Sequence, residues 1–270
     1  MRIAFIGGGN MANALIGGLV KRGTAPRDIL AIDVNESTRD GLVKQYGVDT
    51  ASAPNDRLRD YDTIVLAVKP QVLKDVAQAL QPHLIGQLVI SIAAGIRASD
   101  LARWLGGHNQ IVRCMPNTPA LIGMGITGLA ALSGVDSDQR KRAETVLGAA
   151  GQIVWVEKES QLDAVTAISG SGPAYVFYFI EALEQAANEL GFSPEQARQL
   201  AIATFTGASQ LAAQSSEPAS VLRERVTSKG GTTFAALSSF ERDAIKAAIV
   251  RGVHAANTRA KELGDELGDA

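Results

Sequence analysis

Close to the amino end, Arg2-Ile3-Ala4-Phe5-Ile6 leads directly into Gly7-Gly8-Gly9-Asn10-Met11-Ala12, and an amphipathic run follows. This is a strand, a G-x-G-x-x-A turn and a helix. Gly7 permits the tight turn, Gly9 lets backbone amides approach a pyrophosphate without a Cβ in the way, and Ala12 allows the helix to pack closely on the strand. The second apolar run ends at Asp33, where an acidic side chain accepts a hydrogen bond from an adenine-ribose 2′-hydroxyl and favours NAD. Asn35, Ser37 and Arg39 follow at once and could instead surround a 2′-phosphate, so both nucleotides stay open at this point.

Several later loops carry polar or small residues at places where open α/β sheets bind ligands. Ala67-Val68-Lys69-Pro70 closes another apolar run, with Pro70 suited to the first position of a helix; by sequence alone an ordinary strand-to-helix turn accounts for it. Ser91-Ile92-Ala93-Ala94-Gly95 repeats the situation one strand later with residues small enough to leave room for a cofactor. In Arg113-Cys114-Met115-Pro116-Asn117-Thr118-Pro119-Ala120, two prolines restrict the backbone around Asn117 and Thr118, which favours a site over a plain turn. Cys114 reads as a small buried strand residue, because no nearby histidine would lower its pKa.

Two more interruptions lie in the helical half. Ser169-Gly170-Ser171-Gly172-Pro173 breaks a pattern that is otherwise helical from 163 to 190, so another helix or a ligand must come close there. Its order does not match the G-x-S-x-G elbow of serine hydrolases. Val226-Thr227-Ser228-Lys229-Gly230-Gly231-Thr232-Thr233 leads into a helix; consecutive amides at such an end, flanked by hydroxyls, suit a small anion such as a carboxylate.

The elements that must position these residues follow from composition and periodicity. The chain has 270 residues, 46% hydrophobic and 20% charged, with a formal net charge of −2, which fits a globular protein of one large or two medium domains. With so little charge imbalance and no basic run, nucleic acid is not expected as a partner. One cysteine and three scattered histidines, His83, His108 and His254, offer neither a disulfide nor a metal set. The apolar N-terminus is too short for a signal peptide and no run is long enough for a membrane span, so a cytoplasmic location is expected.

Short apolar runs at 3–6, 29–33, 63–68, 88–92, 111–115, 125–131 and 153–156 alternate with helical spacing at 10–21, 37–46, 70–80, 98–105 and 137–149. That alternation predicts a doubly wound α/β domain around a parallel sheet over residues 1–158. From Lys158 onward strand signals stop, and runs at 177–190, 194–214 and 240–263 predict an all-α domain over 159–270. The stretches 201–213 and 244–256 are apolar around too much of their circumference to be covered alone, which predicts a dimer core. The acidic tail 262–270 is expected to fray.

Taken in order, Gly7–Ala12, 67–70, 113–120, 169–175 and 227–233 resemble the pyrroline-5-carboxylate reductase family over nearly the whole chain. The resemblance implies a Rossmann-type N-terminal domain, an all-α C-terminal dimerisation domain, and a homodimer that can assemble into a decamer. It implies NADPH, or NADH, as cofactor, and reduction of 1-pyrroline-5-carboxylate to L-proline. Carried over residue by residue, Ile6, Gly7, Gly8, Gly9, Asn10 and Met11 hold the pyrophosphate, and Asp33, Asn35 and Asn55 face the adenosine. Ala67, Val68, Lys69 and Pro70, with Ile92, Ala93 and Ala94, wall the nicotinamide half, beside Asn117. Glu159, Val226, Gly231, Thr232 and Thr233 border the substrate, with Thr233 as the catalytic hydrogen-bonding group at the imine nitrogen.

Two departures stand out. Many members have Pro at the place of Lys229, and an adenosine Asn one residue earlier, where this chain has Pro54 before Asn55. A 3-hydroxyacid dehydrogenase shares the two-domain layout but needs a Lys on its long helix, and residues 162–190 contain none.

Overall fold

The computed structural model describes residues 1–268 and divides into two compact units, one of residues 1–171 with 256–268, the other of residues 172–255. The first is built on an eight-stranded sheet of order β3-β2-β1-β4-β5-β6-β7-β8. Its strands are β1 (Ile3–Ile6), β2 (Ile29–Ile32), β3 (Asp49–Ala51), β4 (Thr63–Leu66), β5 (Leu88–Ser91), β6 (Ile111–Met115), β7 (Gly125–Ala131) and β8 (Gly151–Trp155). Helices α1 (Asn10–Lys21), α2 (Glu36–Tyr46), α3 (Pro70–Leu80), α4 (Ala98–Trp104) and α5 (Ser137–Gly148) connect them.

The central strands are mostly apolar and buried along their length because both faces are covered. In β1, Ile3 and Phe5 belong to the core formed with α1, α2 and α5, while Ala4 and Ile6 belong to the core formed with α3 and α4. Two features depart from the expected parallel sheet of seven strands. The three-residue β3 pairs with β2 at the sheet edge; Asp-Thr-Ala has no apolar run by which to recognise it. Strand β7 runs antiparallel to β6, and β8 is parallel to β7. The link at 116–124 is shorter than the dozen or so residues a parallel crossover needs, so the chain must double back there.

The chain continues through α6 (Gln161–Val165), a π-helical turn (Thr166–Gly170), α7 (Gly172–Glu189), α8 (Pro194–Gln214), α9 (Ala219–Arg225), α10 (Thr232–Arg242) and α11 (Ile245–Gly268). Gly191, at φ 93, ends the turn after α7, and Ser193 with Gln196 forms a capping box at the start of α8. The expected single helix over 240–263 is two helices: α10 is capped at Asp243, and Ala244 takes φ 52 before α11 begins. No helix among the described residues is long and apolar enough to cross a membrane.

The expectation that the tail frays does not hold for its described part, and residues 269–270 lie outside the described residues. Helix α11 runs to Gly268, and Leu267 packs against the α3/α4 core. Glycines make this fit possible: a Cβ on Gly264 would lie 2.6 Å from Arg97 Nη2, and one on Gly95 would lie 2.9 Å from Leu267 Cδ1. Arg103 Nη2 donates to the Gly268 carbonyl at 3.0 Å. Composition suggested a solvated end, but three small or apolar positions one helical turn apart, Ala260, Gly264 and Gly268, are buried.

Candidate active site

Order β3-β2-β1-β4 places the reversal of strand order between β1 and β4, where open α/β sheets bind ligands at the strands' carboxyl ends. Gly7 sits there with φ 99, donating to the Ile32 carbonyl at 2.7 Å. A Cβ on it would lie 2.6 Å from the Ala67 carbonyl oxygen, so only glycine lets the loop pass between β1 and β4. Gly9, the N-cap of α1, has open space where a Cβ would stand, and no side chain caps this helix end. Asn10 beside it is exposed and Met11 half-buried. An uncapped helix N-terminus without acidic residues in its first turn favours an anion.

The β2–α2 turn is held by its own polar groups. Asp33 Oδ2 accepts from Gly8 N at 2.7 Å and Oδ1 from Asn35 N at 2.8 Å. Asn35 Oδ1 caps α2, accepting from Ser37 N at 3.0 Å and from the Ser37 hydroxyl at 2.8 Å. Arg39 Nη1 donates to the carbonyls of Asp33 at 2.7 Å and Val34 at 3.1 Å. Asn55 caps the short 3-10 turn Asp56–Asp60 by accepting from Arg57 N.

Further along the same sheet edge, Ala67 and Val68 are half-buried, Lys69 is the exposed N-cap of α3, and Pro70 opens that helix. Ile92 and Ala94 reach the surface to different degrees while Ala93 is buried. Asn117 is turned inward: Nδ2 donates to the Ser169 carbonyl at 3.1 Å and Oδ1 accepts from Ile126 N at 2.9 Å. It therefore ties the carboxyl end of β6 to the π-helical turn and to β7. Thr118, its partner in the proline-bracketed pair, is exposed. Cys114 is buried, and that burial pushes its thiol far above its ordinary value, against the opposing effect of Arg113. This fits a packing residue.

Glu159 belongs to a buried charge cluster that periodicity did not reveal. Its Oε1 accepts from Arg113 Nη1 at 2.9 Å and from Ala98 N, at the start of α4, at 2.7 Å. Asp163 accepts two bonds from Arg97 Nη1, at 3.0 and 2.8 Å, and lies 3.8 Å from Arg113 Nη2. Burial opposes the charge of Arg97, but the hydrogen bond and charge of Asp163, with Glu159 and Asp265, raise its pKa above the ordinary value. A signal existed: Arg113 is a charged residue within the apolar strand Ile-Val-Arg-Cys-Met. Such a residue in a central strand requires buried carboxylates to meet it.

The interruption at 169–173 straddles the end of the π-helical turn Thr166–Gly170 and the start of α7, with Ser171 N donating to the Thr166 carbonyl at 2.8 Å. A Cβ on Gly170 would lie 2.6 Å from Met115 Cε, so the close approach that the glycine implied comes from β6. In the second unit, Gly230 takes φ 74 and Gly231 caps α10 without any side-chain capping bond. Thr232 and Thr233 are the first two residues of that helix, Val226 is exposed, and Thr227 donates to the Arg223 carbonyl at 2.6 Å. Side-chain capping therefore does not consume the amides of this loop. Among the described residues no cluster of His, Cys, Asp or Glu could hold a metal ion.

The family model described as pyrroline-5-carboxylate reductase dimerisation matches residues 159–263, and one described as NADP oxidoreductase coenzyme F420-dependent matches residues 2–95. A curated pyrroline-5-carboxylate reductase of Pseudomonas aeruginosa is 44% identical over 268 residues, covering 99% of this chain and 98% of its own. A solved pyrroline-5-carboxylate reductase structure from Coxiella burnetii matches with TM-score 0.92 at 39% identity, over 97% of this chain and 98% of that one. A Plasmodium falciparum pyrroline carboxylate reductase solved with NADP bound matches with TM-score 0.86 at 32% identity, over 98% of each chain.

Proposed function

The chain belongs to the pyrroline-5-carboxylate reductase family, and from that membership we propose how its residues divide the work. The activity is NAD(P)H-dependent reduction of 1-pyrroline-5-carboxylate to L-proline, the last step of proline synthesis, with NADPH as cofactor. Bound, the dinucleotide supplies a hydride to the imine carbon. Residues Ile6 to Met11 would hold its pyrophosphate, an assignment supported by the Gly7 turn and the uncapped start of α1. Asn35 and Asn55 would border the adenosine, and Ala67 to Pro70 with Ile92 to Ala94 the nicotinamide half. Asn117 acts from behind that wall, fixing the end of β6 through Ser169 and Ile126.

The substrate carboxylate would be held by the amides at the start of α10, with Val226, Gly231 and Thr232 forming the loop and Thr233 hydrogen-bonding the imine nitrogen. The uncapped Gly231 end of α10 is the observation that carries this reading. No acid–base dyad is required, because the imine nitrogen arrives protonated or takes its proton from water or a hydroxyl; catalysis rests on holding imine and reductant at attack distance. Glu159 contributes by holding Arg113 and the start of α4. The proposal extends to homodimers assembled into a decamer in the cytoplasm, and to domains bounded at 158/159. The start of the matched dimerisation region at 159 supports that boundary, whereas compactness carries 159–171 with the sheet.

The test is a reduction assay with each nucleotide. The purified protein should oxidise NADPH or NADH only when pyrroline-5-carboxylate or a close cyclic imino acid is added, forming L-proline. Turnover of a 3-hydroxyacid in place of the imine would overturn the reading.

A further inference from the structure

An acidic residue at the end of the second strand ordinarily reads a free ribose 2′-hydroxyl, and its charge would repel a 2′-phosphate. Asp33 stands at that place in a chain whose cofactor is NADPH. The hydrogen bonds give this carboxylate partners within the protein: it faces the chain's own backbone, with Oδ2 accepting from Gly8 N at 2.7 Å and Oδ1 from Asn35 N at 2.8 Å. One short side chain thereby joins the middle of the glycine loop to the β2–α2 turn.

The neighbouring contacts bring the same two segments together. A Cβ on Gly8 would lie 2.7 Å from Thr38 Cγ2 and 2.9 Å from Leu42 Cδ1, so the loop is pressed against α2. Arg39 reinforces the same turn by donating to the carbonyls of Asp33 and Val34. Charge-assisted bonds from backbone amides to a carboxylate are the stronger class of hydrogen bond, and here they fix the amides next to the pyrophosphate site.

We propose that Asp33 is a positioning residue, clamping the glycine loop to the β2–α2 turn for either nucleotide, and is not the reader of the adenosine ribose. The inference rests on the reading that this loop holds the dinucleotide. It distinguishes two roles by the length of the side chain. A ribose reader works as Asp or Glu, whereas a clamp between two amides at these distances depends on the single methylene of Asp.

Direct titration of the full-length protein with NADPH and NADH, monitored by calorimetry, tests this without the substrate. Asp33→Glu and Asp33→Asn should each weaken both nucleotides by about tenfold, the loss of roughly one charge-assisted bond. The ratio of the two dissociation constants should stay within about threefold of the wild-type ratio. Selective loss of NADH, or an NADH affinity preserved in Asp33→Glu, would make Asp33 the ribose reader and overturn the proposal. Wild-type affinity for both nucleotides with only a lowered Tm would reduce it to a structural residue and overturn it as well. On the unaltered protein, hydrogen exchange should show the Gly8 and Asn35 amides protected without nucleotide; rapid exchange at both would refute the clamp even if neither variant folds. Wild-type protein that binds neither nucleotide would instead remove the reading on which the inference depends.

Discussion

Thr233 is the second residue of α10, whose glycine N-cap has no side-chain capping bond. Thr233→Val keeps the volume and removes the hydroxyl. If that hydroxyl bonds the imine nitrogen, kcat/KM should fall about 10- to 100-fold, or ~1.4–2.7 kcal/mol of transition-state stabilisation, while nucleotide affinity stays put. Steady-state kinetics with circular dichroism as a folding control checks this, and unchanged kcat/KM removes Thr233 from the mechanism. Asp163 offers a contrast, because its role is visible only in three dimensions. It is 2% exposed and meets both Arg97 and Arg113. Asp163→Ala leaves two guanidinium groups short of a partner and should destabilise the protein by about 3 kcal/mol, the lower end of the range for a broken buried pair, since Arg97 keeps some solvent contact. Denaturant unfolding measures it; a loss under about 1 kcal/mol would mean that the network is no more than a surface-type pair.

Among the elements, boundaries set by capping chemistry were legible and those set by packing were not. Pro70 marks the start of α3, and the helical run read from 194 begins where α8 does. The glycine-rich interruption at 169–173 signalled a close approach, but not that the helix absorbs it as a π-helical turn beneath Met115. Helix α11 shows the limit most clearly. Its acidic end looked solvated, yet Leu267 packs half-buried against the α3/α4 core and Gly264 makes room for the Arg97 guanidinium. Truncation after Glu262 should therefore cost about 1–2 kcal/mol for the lost, partial burial of Leu267 alone. That corresponds to a fall in Tm of about 2–8 °C for a unit of this size. A truncated protein that melts with the full chain would show that the last turns of α11 add nothing.

For the whole molecule, the matched dimerisation region and the apolar residues left exposed in the second unit point the same way. Phe177 and Tyr178 on α7 and Leu200, Ile202 and Leu211 on α8 are exposed in the single chain. A surface shared between two copies covers such residues, and a symmetric interface feels each substitution twice. Leu211→Asp should shift the protein toward monomer in size-exclusion chromatography with light scattering and make its Tm depend on concentration. Unchanged mass at micromolar protein would place Leu211 outside the interface. A fragment of residues 1–158, expected to keep dinucleotide affinity without reductase activity, would also lose Leu162 and Ala167, both fully buried in the sheet-containing unit.

Local chemistry determined much of this protein in advance. A strand ending in G-x-G-x-x-A, prolines at helix starts and alternating apolar runs act over a few residues, so most of the strand and helix order, the glycine loop ahead of α1 and the Thr-rich helix start could be read from the chain. Tertiary structure decided what depends on distant partners. The reversal of β7 is the exception, since the short span between Met115 and Gly125 already implied it. The charge cluster of Arg97, Arg113, Glu159 and Asp163 formed only when β6, the start of α4 and α6 met. Asp33 lies 25 residues beyond Gly8 in sequence. No spacing rule can tell whether its carboxylate faces a ligand or the chain's own amides, because that choice is made by which backbone donors the folded strands bring within 3 Å.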